Sequence, residues 1–398
     1  MLERRAAHFR CDANFSPEFP FLLNCCAMTV ATGDRELGIP EIDWEALAQM
    51  AERHNVTPLV YHALASHKQY VPVEVFARLQ LNYVQNWHKN LRLSAELIRV
   101  MDCLSASGVC AVPYKGAVLA QELYGDLALR QFSDLDILVR PQDLPTAQAA
   151  VLEIGYTPSL RMSEAEGRAH LRSGYERAFD GPLGRNLLEL QWRTAPRFYA
   201  IEMNVEGLLQ RCEYTEVSGS KVRTLHPADL FLVLCVHAAK HGWERLNWVC
   251  DIAMLMTRPG IDYSGVCARA RELGIERMVG ITSRLARELL GVNLPEELAR
   301  LTERDGNTEE IAKERMAAMA SSVDMDIESL AYFRLMIDAR ERTRDKTRFV
   351  LRLACTPGSG EWSALKLPTA MFPLYRLVRF GRLTKRLFGG RVRSGAAR

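Results

Sequence analysis

The spacing of apolar positions divides the chain into three parts. Between Trp44 and Leu104 apolar residues recur at helical intervals. Trp44, Leu47 and Met50 follow Asp43, whose short carboxylate suits an N-cap, and Phe76, Leu79, Leu81, Leu91, Leu97 and Ile98 mark a longer helix from about Val73 to Leu104. Beyond Gly108 the apolar runs become short. CAVPYKG (110–116), DLDILV (134–139), YERAFDG (175–181) and NLLELQW (186–192) read as strands, and GYTPSL (155–160) as extended chain. Helical patterns ending at Gly125 and Gly155 lie between them. From His226 onward the helical period returns: Pro227 suits a first helical turn, and ADLFLVLCVHAAKHG (228–242) runs to a glycine stop.

This order predicts an α+β chain: a small mixed-sheet core at 106–215, an N-terminal helical region at 1–105, and a C-terminal helical domain at 216–398. A length of 398 residues allows such a division. With 48% hydrophobic residues and a formal charge of only +3, neither global disorder nor a chain that coats nucleic acid fits. The charge is uneven. Eight basic and no acidic residues lie between Leu374 and Arg398, leaving 43 basic against 48 acidic residues in the remainder. Tyr375, Leu377, Val378, Phe380 and Leu383 give that tail the spacing of a basic amphipathic helix, suited to an acidic partner, RNA or a membrane surface. No apolar run reaches the ~18 residues of a spanning helix. The ten cysteines are scattered without a CxxC, which argues against a disulfide framework or a zinc site. The expectation is a cytoplasmic protein.

The sharpest chemical feature is Asp134-Leu135-Asp136 at the head of a strand. Residues two apart share a face with Cα atoms about 6.7 Å apart. Two carboxylates at about 4–5 Å repel by roughly 3–4 kcal/mol at an effective dielectric of 20. A divalent cation such as Mg²⁺ (or Mn²⁺) removes that cost, so the pair is a candidate metal ligand set. Glu189 stands alone among Leu187, Leu188 and Leu190, and beside the Asp strand it would supply a third ligand. Lys115-Gly116 lies between a strand and a helix, where backbone N–H groups and a lysine can meet phosphate. Arg130 could do likewise. His237, Lys240 and His241 share about 100° of helix face. Ala238 stands where a zinc protease would carry its glutamate, so that reading is disfavoured. Their alternatives are histidines packed between helices with Trp243 and Trp248, with Asp251 as a possible partner.

Lys115-Gly116, Arg130, Asp134-Leu135-Asp136 and Glu189 in this order resemble the nucleotidyltransferase fold of the DNA polymerase β superfamily. Within it the chain is most similar to bacterial nucleotidyltransferases of unassigned acceptor. The similarity extends over DWEALAQMAERHNVTPLVYHAL, VPYKGAVLAQELYGDLALRQFSDLDILV, LELQW, LHPADLFLVLCVHAAKHGWERLNWVCDIAML and TPGSGEWSALKLP with PLYRLVRFGRL. The resemblance implies that Asp134, Asp136 and Glu189 are the catalytic, metal-binding carboxylates. It implies that Lys115, Gly116, Arg130, Ser133 and Lys240 bind the nucleotide, with His237 and His241 on the face toward the acceptor. The implied reaction is Mg²⁺- or Mn²⁺-dependent transfer of NMP from an NTP, ATP among them, to an acceptor hydroxyl. A small molecule, sugar, peptide, protein or RNA would each offer one. Two positions depart from the family pattern: Gly116-Ala117 replaces Gly-Gly or Gly-Ser, and Gln191 stands where relatives carry histidine. Two other readings stay open, an inactive nucleotide-binding module of this fold and a DxD glycosyltransferase.

Overall fold

The computed structural model describes residues 15–30, 37–184, 186–321, 324–326, 329–356, 369–379 and 381. Four helices come first: α1 (Glu18–Val30), α2 (Trp44–Arg53), α3 (Thr57–Leu64) and the long α4 (Val73–Ala106). Asp43 caps α2 as its chemistry suggests, its Oδ1 accepting from the backbone N–H groups of Glu45 (2.9 Å) and Ala46 (3.1 Å). The mixed region follows as β1 (Ala111–Pro113), α5 (Ala117–Tyr124), β2 (Asp134–Val139), α6 (Leu144–Glu153), β3 (Thr157–Pro158), α7 (Glu164–Ser173), β4 (Glu176–Asp180), β5 (Leu187–Gln191) and α8 (Val205–Gln210). A hairpin, β6 (Glu213–Val217) and β7 (Ser220–Thr224), leads to the second helical part. That part contains α9 (Pro227–Lys240), α10 (Leu246–Met256), α11 (Tyr263–Leu273), α12 (Glu276–Leu290), α13 (Glu296–Thr302), α14 (Gly306–Ala320), α15 (Leu330–Asp338) and α16 (Thr343–Cys355).

The α+β expectation holds, with a five-stranded mixed sheet between helical flanks. Strand order is β1-β2-β5-β4-β3. Only β2 and β5 run parallel; the other neighbours are antiparallel. The reason the sheet buries one face lies in its alternation. Leu135, Ile137, Val139, Leu188 and Leu190 are all buried and pack with Leu93, Leu97 and Val100 of α4 and with Ala147 and Val151 of α6. The opposite face carries Asp134, Asp136, Glu189 and Gln191, while Leu138 on the same face joins the core cluster that holds α9 and α10. In α9 the run Leu230 to Val236 is wholly buried, so this helix is core on nearly every side.

Two polar anchors join these layers. Asn86 and Asn90 of α4 each donate twice to the backbone of the loop before β2. Asn86 reaches the carbonyls of Ala128 (2.8 Å) and Arg130 (3.1 Å), and Asn90 those of Leu127 (2.6 Å) and Arg130 (2.7 Å). The C-terminal end of α9 is tied down where its carbonyls would be orphaned: the hydroxyls of Tyr199 and Tyr332 donate to the Lys240 carbonyl at 3.2 and 2.6 Å.

The hairpin and α7 were not foreseen from the sequence, and the 215/216 boundary falls inside β6. Of the basic tail, residues 375–379 are helical and Tyr375 is buried, while Phe380, Leu383 and everything past 381 lie outside the described residues. Among the described residues no helix is long and apolar enough to cross a membrane.

Candidate active site

Asp134 and Asp136 project from the same face of β2, as the two-residue spacing requires. The parallel pairing of β2 with β5 sets Asp136 directly beside Glu189. The three carboxylates singled out from the sequence therefore share one sheet face. A fourth joins them. Glu176, opening β4, is the register partner of Gln191, two residues from Glu189 on the same face.

The charge state of this face follows from burial and crowding. Burial first, then Glu176 and Asp136, push the Glu189 carboxyl up to about 8. Asp134 is likewise raised, by burial and then by Asp136, against the pull of Lys115 and Arg130. One cation is already in place: Lys115 Nζ lies 3.0 Å from Asp136 Oδ1, with side-chain exposures of 11% and 3%. Burial alone would lower the Lys115 pKa, but Asp136, Tyr114 and Asp134 reverse that and raise it, so the ammonium stays charged.

Gln191 organises the group. Its Nε2 donates to Asp136 Oδ1 (2.8 Å) and Glu189 Oε2 (3.0 Å), with Glu176 Oε2 at 3.4 Å. Its Oε1 accepts from the hydroxyl of buried Tyr114. A neutral histidine at this position would donate from one ring nitrogen and accept at the other, and would have to gain a charge to donate from both. The amide meets carboxylates and a hydroxyl at once without changing charge.

Lys115 and Gly116 sit in the turn between β1 and α5. Gly116 adopts φ 55°, and a Cβ there would press to 3.3 Å of both the Asp134 carbonyl and the Phe132 ring. Only glycine lets the β1–α5 turn close against the start of β2. Ser133 is exposed beside Asp134. Lys89 of α4, not singled out from the sequence, lies near enough to Asp134 for the carboxylate to oppose the lowering of its pKa by burial.

The helical side supplies the remaining candidates. The rings of His237 and His241 are 4.7 Å apart and both lie against Trp248, at 5.5 and 5.0 Å. Burial, then Lys115, His241 and Lys240, holds His237 well below its usual pKa, and burial with Lys240 takes His241 to about 3. Both are neutral imidazoles. Lys240 stands over the Tyr175 ring, 4.9 Å from its centre, with Nζ 3.5 Å from the Tyr175 hydroxyl. Tyr175 adjoins Glu176, so Lys240 does approach the acidic face. Trp243 is not part of this group; it is fully buried and donates to Thr282 Oγ1 at 2.8 Å.

One expected pairing is different. Asp251 does not serve the histidines. It accepts from Arg130 Nε and Nη2 at 2.9–3.1 Å and from the Tyr124 hydroxyl at 3.0 Å. Arg130, expected at the phosphates, is 7% exposed and its fork is engaged by this carboxylate. It acts as a brace between the sheet and α10. A phosphate would have to use Nη1, the one guanidinium nitrogen without a partner, or compete with Asp251.

Residues 40–291 match the profile of a family described as "uncharacterised nucleotidyltransferase". That stretch is well over half of the chain and contains the whole sheet, Lys115, all four carboxylates and α9. The chain belongs to this family. No curated protein and no solved structure matches it. As a nucleotidyltransferase, its general activity is the transfer of a nucleotidyl group. Its acidic face fits a divalent cation by the chemistry of its donors: they are oxygen ligands, and burial first, then the neighbouring carboxylates, raise the Glu189 and Asp134 pKa values against the pull of Lys115. Among the described residues no three His, Cys, Asp or Glu side chains enclose a single point. Mg²⁺ needs no such cage, since it is bound through one or two carboxylates with the substrate's phosphates completing the shell.

Proposed function

We propose that this nucleotidyltransferase works in the manner of the polymerase β superfamily, moving NMP from an NTP to an acceptor hydroxyl with release of pyrophosphate. The observation that carries the reading is the register of β2 and β5, which sets Asp136 beside Glu189 on the face that also bears Asp134. Mg²⁺ or Mn²⁺ bound through Asp134 and Asp136, with Glu189 beside them and the phosphates completing the shell, would neutralise the triphosphate and lower the pKa of the attacking hydroxyl.

The chain's own groups do the rest. Lys115, charged and positioned at Asp136, offers its ammonium to the departing pyrophosphate, where negative charge grows as the α-phosphorus–oxygen bond breaks. The turn at Gly116 brings the start of α5 close to the same place. Gln191 fixes the directions of Asp136 and Glu189, so the carboxylates need not reorganise when substrate arrives. Neutral His237 and His241 can accept a hydrogen bond from the acceptor, and Lys240 brings a second cation near Glu176.

The test is incubation of the purified chain with each α-labelled NTP, Mg²⁺ or Mn²⁺, and a panel of hydroxyl acceptors. Label transferred with one pyrophosphate released supports the proposal, provided Asp134→Ala abolishes it. NTP bound without turnover would point instead to an inactive binding module, and consumption of a nucleotide sugar to a glycosyltransferase.

A further inference from the structure

A second site lies beyond the C-terminal ends of the parallel strands. Pro141 follows β2 there, and Trp192, Arg193 and Thr194 follow β5, lining a cavity of about 540 Å³. Its walls carry Arg172, Arg193, Arg197 and Arg352 against two carboxylates, Glu202 and Glu206. Both carboxylates are already engaged. Glu206 accepts from Arg140 at 2.6 and 3.1 Å, and Glu202 lies 2.6 Å from Arg352 and 3.7 Å from Arg348.

The other arginines have no such partner. Arg193 Nη1 donates to the carbonyls of Leu171 (3.2 Å) and Gly174 (2.6 Å), and Arg197 Nη1 to the carbonyl of Arg172 (3.1 Å). Among the described residues no carboxylate lies within the 4.0 Å of an ion pair from Arg172, Arg193 or Arg197. Burial and then repulsion from Arg197 hold the Arg193 pKa below its usual value, with Glu202 opposing and Arg352 adding to the repulsion. Capping the last turn of α7 accounts for one nitrogen of Arg193. It does not account for Arg197 beside it, and Arg352, though paired with Glu202, brings a further guanidinium to the same wall.

We propose that this cavity is a phosphate-binding subsite, in which Arg193, Arg197 and Arg352 receive the phosphate group of a second ligand. Planar guanidinium forks are matched to phosphate oxygens, and a dianion there would neutralise charge that the chain itself leaves uncompensated. At about 3.3 Å per residue, Arg193 is up to ~13 Å along the chain from Glu189. A phosphorylated acceptor seated on the arginines could therefore extend toward the carboxylates. That last step rests on the transferase reading; the binding of phosphate does not.

Titrating the full chain with inorganic phosphate against chloride at equal ionic strength, by calorimetry and by thermal melting, tests the site. Wild type should bind phosphate and melt higher in its presence. Arg197→Gln combined with Arg352→Gln should weaken phosphate binding about tenfold or more, the worth of one charge-assisted contact. Without phosphate the double variant should melt close to wild type, since the relief of like charge offsets the lost Arg352–Glu202 ion pair and the Arg197 bond to the Arg172 carbonyl. Arg168→Gln, which removes an exposed cation that does not line the cavity, should bind phosphate as wild type does. Equal affinity in wild type and the double variant, or no binding by wild type, overturns the proposal. Phosphate binding in a chain with no transfer activity would retire the transferase reading and leave the subsite standing.

Discussion

The two faces of β2 and β5 are made from the same eleven residues of chain, yet they obey opposite rules. On one, Leu135, Ile137, Val139, Leu188 and Leu190 are sealed against α4 and α6, each contributing roughly 1.5–3 kcal/mol by leaving water. On the other, Asp134, Asp136 and Glu189 are packed with Glu176 where burial and mutual repulsion oppose their charge. The first face is what stability alone would select. The second is opposed by stability, and that difference is what supports the proposal that the site lies there. Side chains that cost folding energy in a structured strand need another reason to be there.

The largest effect should come from making the dry face resemble the wet one. Ile137 is 0% exposed, and Ile137→Asp would bury a carboxylate with no cation near it. We expect no soluble folded protein. Leu190→Ala, on the same face, should cost about 2–5 kcal/mol in urea unfolding through the cavity it leaves.

The converse change should do the opposite. Asp134→Asn removes a charge whose presence the fold resists, so the melting temperature should hold or rise. Transfer of label from NTP should nevertheless fall by at least about 10²-fold. A fall in stability as large as that of Leu190→Ala would mean that the acidic face is part of the scaffold, and the comparison between faces would collapse.

How much of this was legible beforehand depends on whether the information was local. Alternation within DLDILV and LLELQW marked the two strands, the paired aspartates and the isolated glutamate, and the glycine stops marked helix ends. Glu176 was passed over because ERAFD carries charges at both ends, and only its register against Gln191 reveals which one joins the site. The bond between Arg130 and Asp251 spans 121 positions, and no spacing rule reaches that far. Arg130 stands four residues before Asp134 in sequence, but its partner lies on α10. The hairpin β6–β7 was missed for another reason. EYTEV and SKVRT are mostly polar, with Val217 and Val222 their buried apolar residues, although Ser218-Gly219 between them is a recognisable two-residue turn.

Gln191 offers a smaller, sharper test of how the wet face is held together. Gln191→Leu would strand the Tyr114 hydroxyl and leave Asp136 and Glu189 without their shared donor. A destabilisation of about 1–3 kcal/mol is expected from the unsatisfied groups. Activity should fall through misdirected carboxylates. Gln191→Glu should be worse than Leu in stability above neutral pH, because it adds a fifth acid to the face.

The most gradual effect is a slope. In the folded chain Glu189 titrates at about 8, against an ordinary 4.5 when unfolded, so between those values the folded state holds the extra proton. Stability from this group is complete below about pH 4.5 and is lost as pH rises through 8, at no more than about 1.4 kcal/mol per pH unit. His54, buried far from the sheet face, acts in the reverse sense. Its Nδ1 accepts from the Leu246 N–H (3.3 Å) while Nε2 meets the Met319 carbonyl (3.2 Å), and burial lowers its pKa to about 4. Its contribution is present above 6.5 and is lost as pH falls through 4. Unfolding free energies of wild type and Glu189→Gln should therefore agree near pH 4.5 and separate with rising pH, the variant becoming the more stable. Adding Mg²⁺ should reduce that separation by stabilising wild type more than the variant, with release of protons near neutral pH. A gap that stays constant from pH 4.5 to 8 would mean that Glu189 is already compensated within the chain, and that the wet face needs no cation to hold its charge.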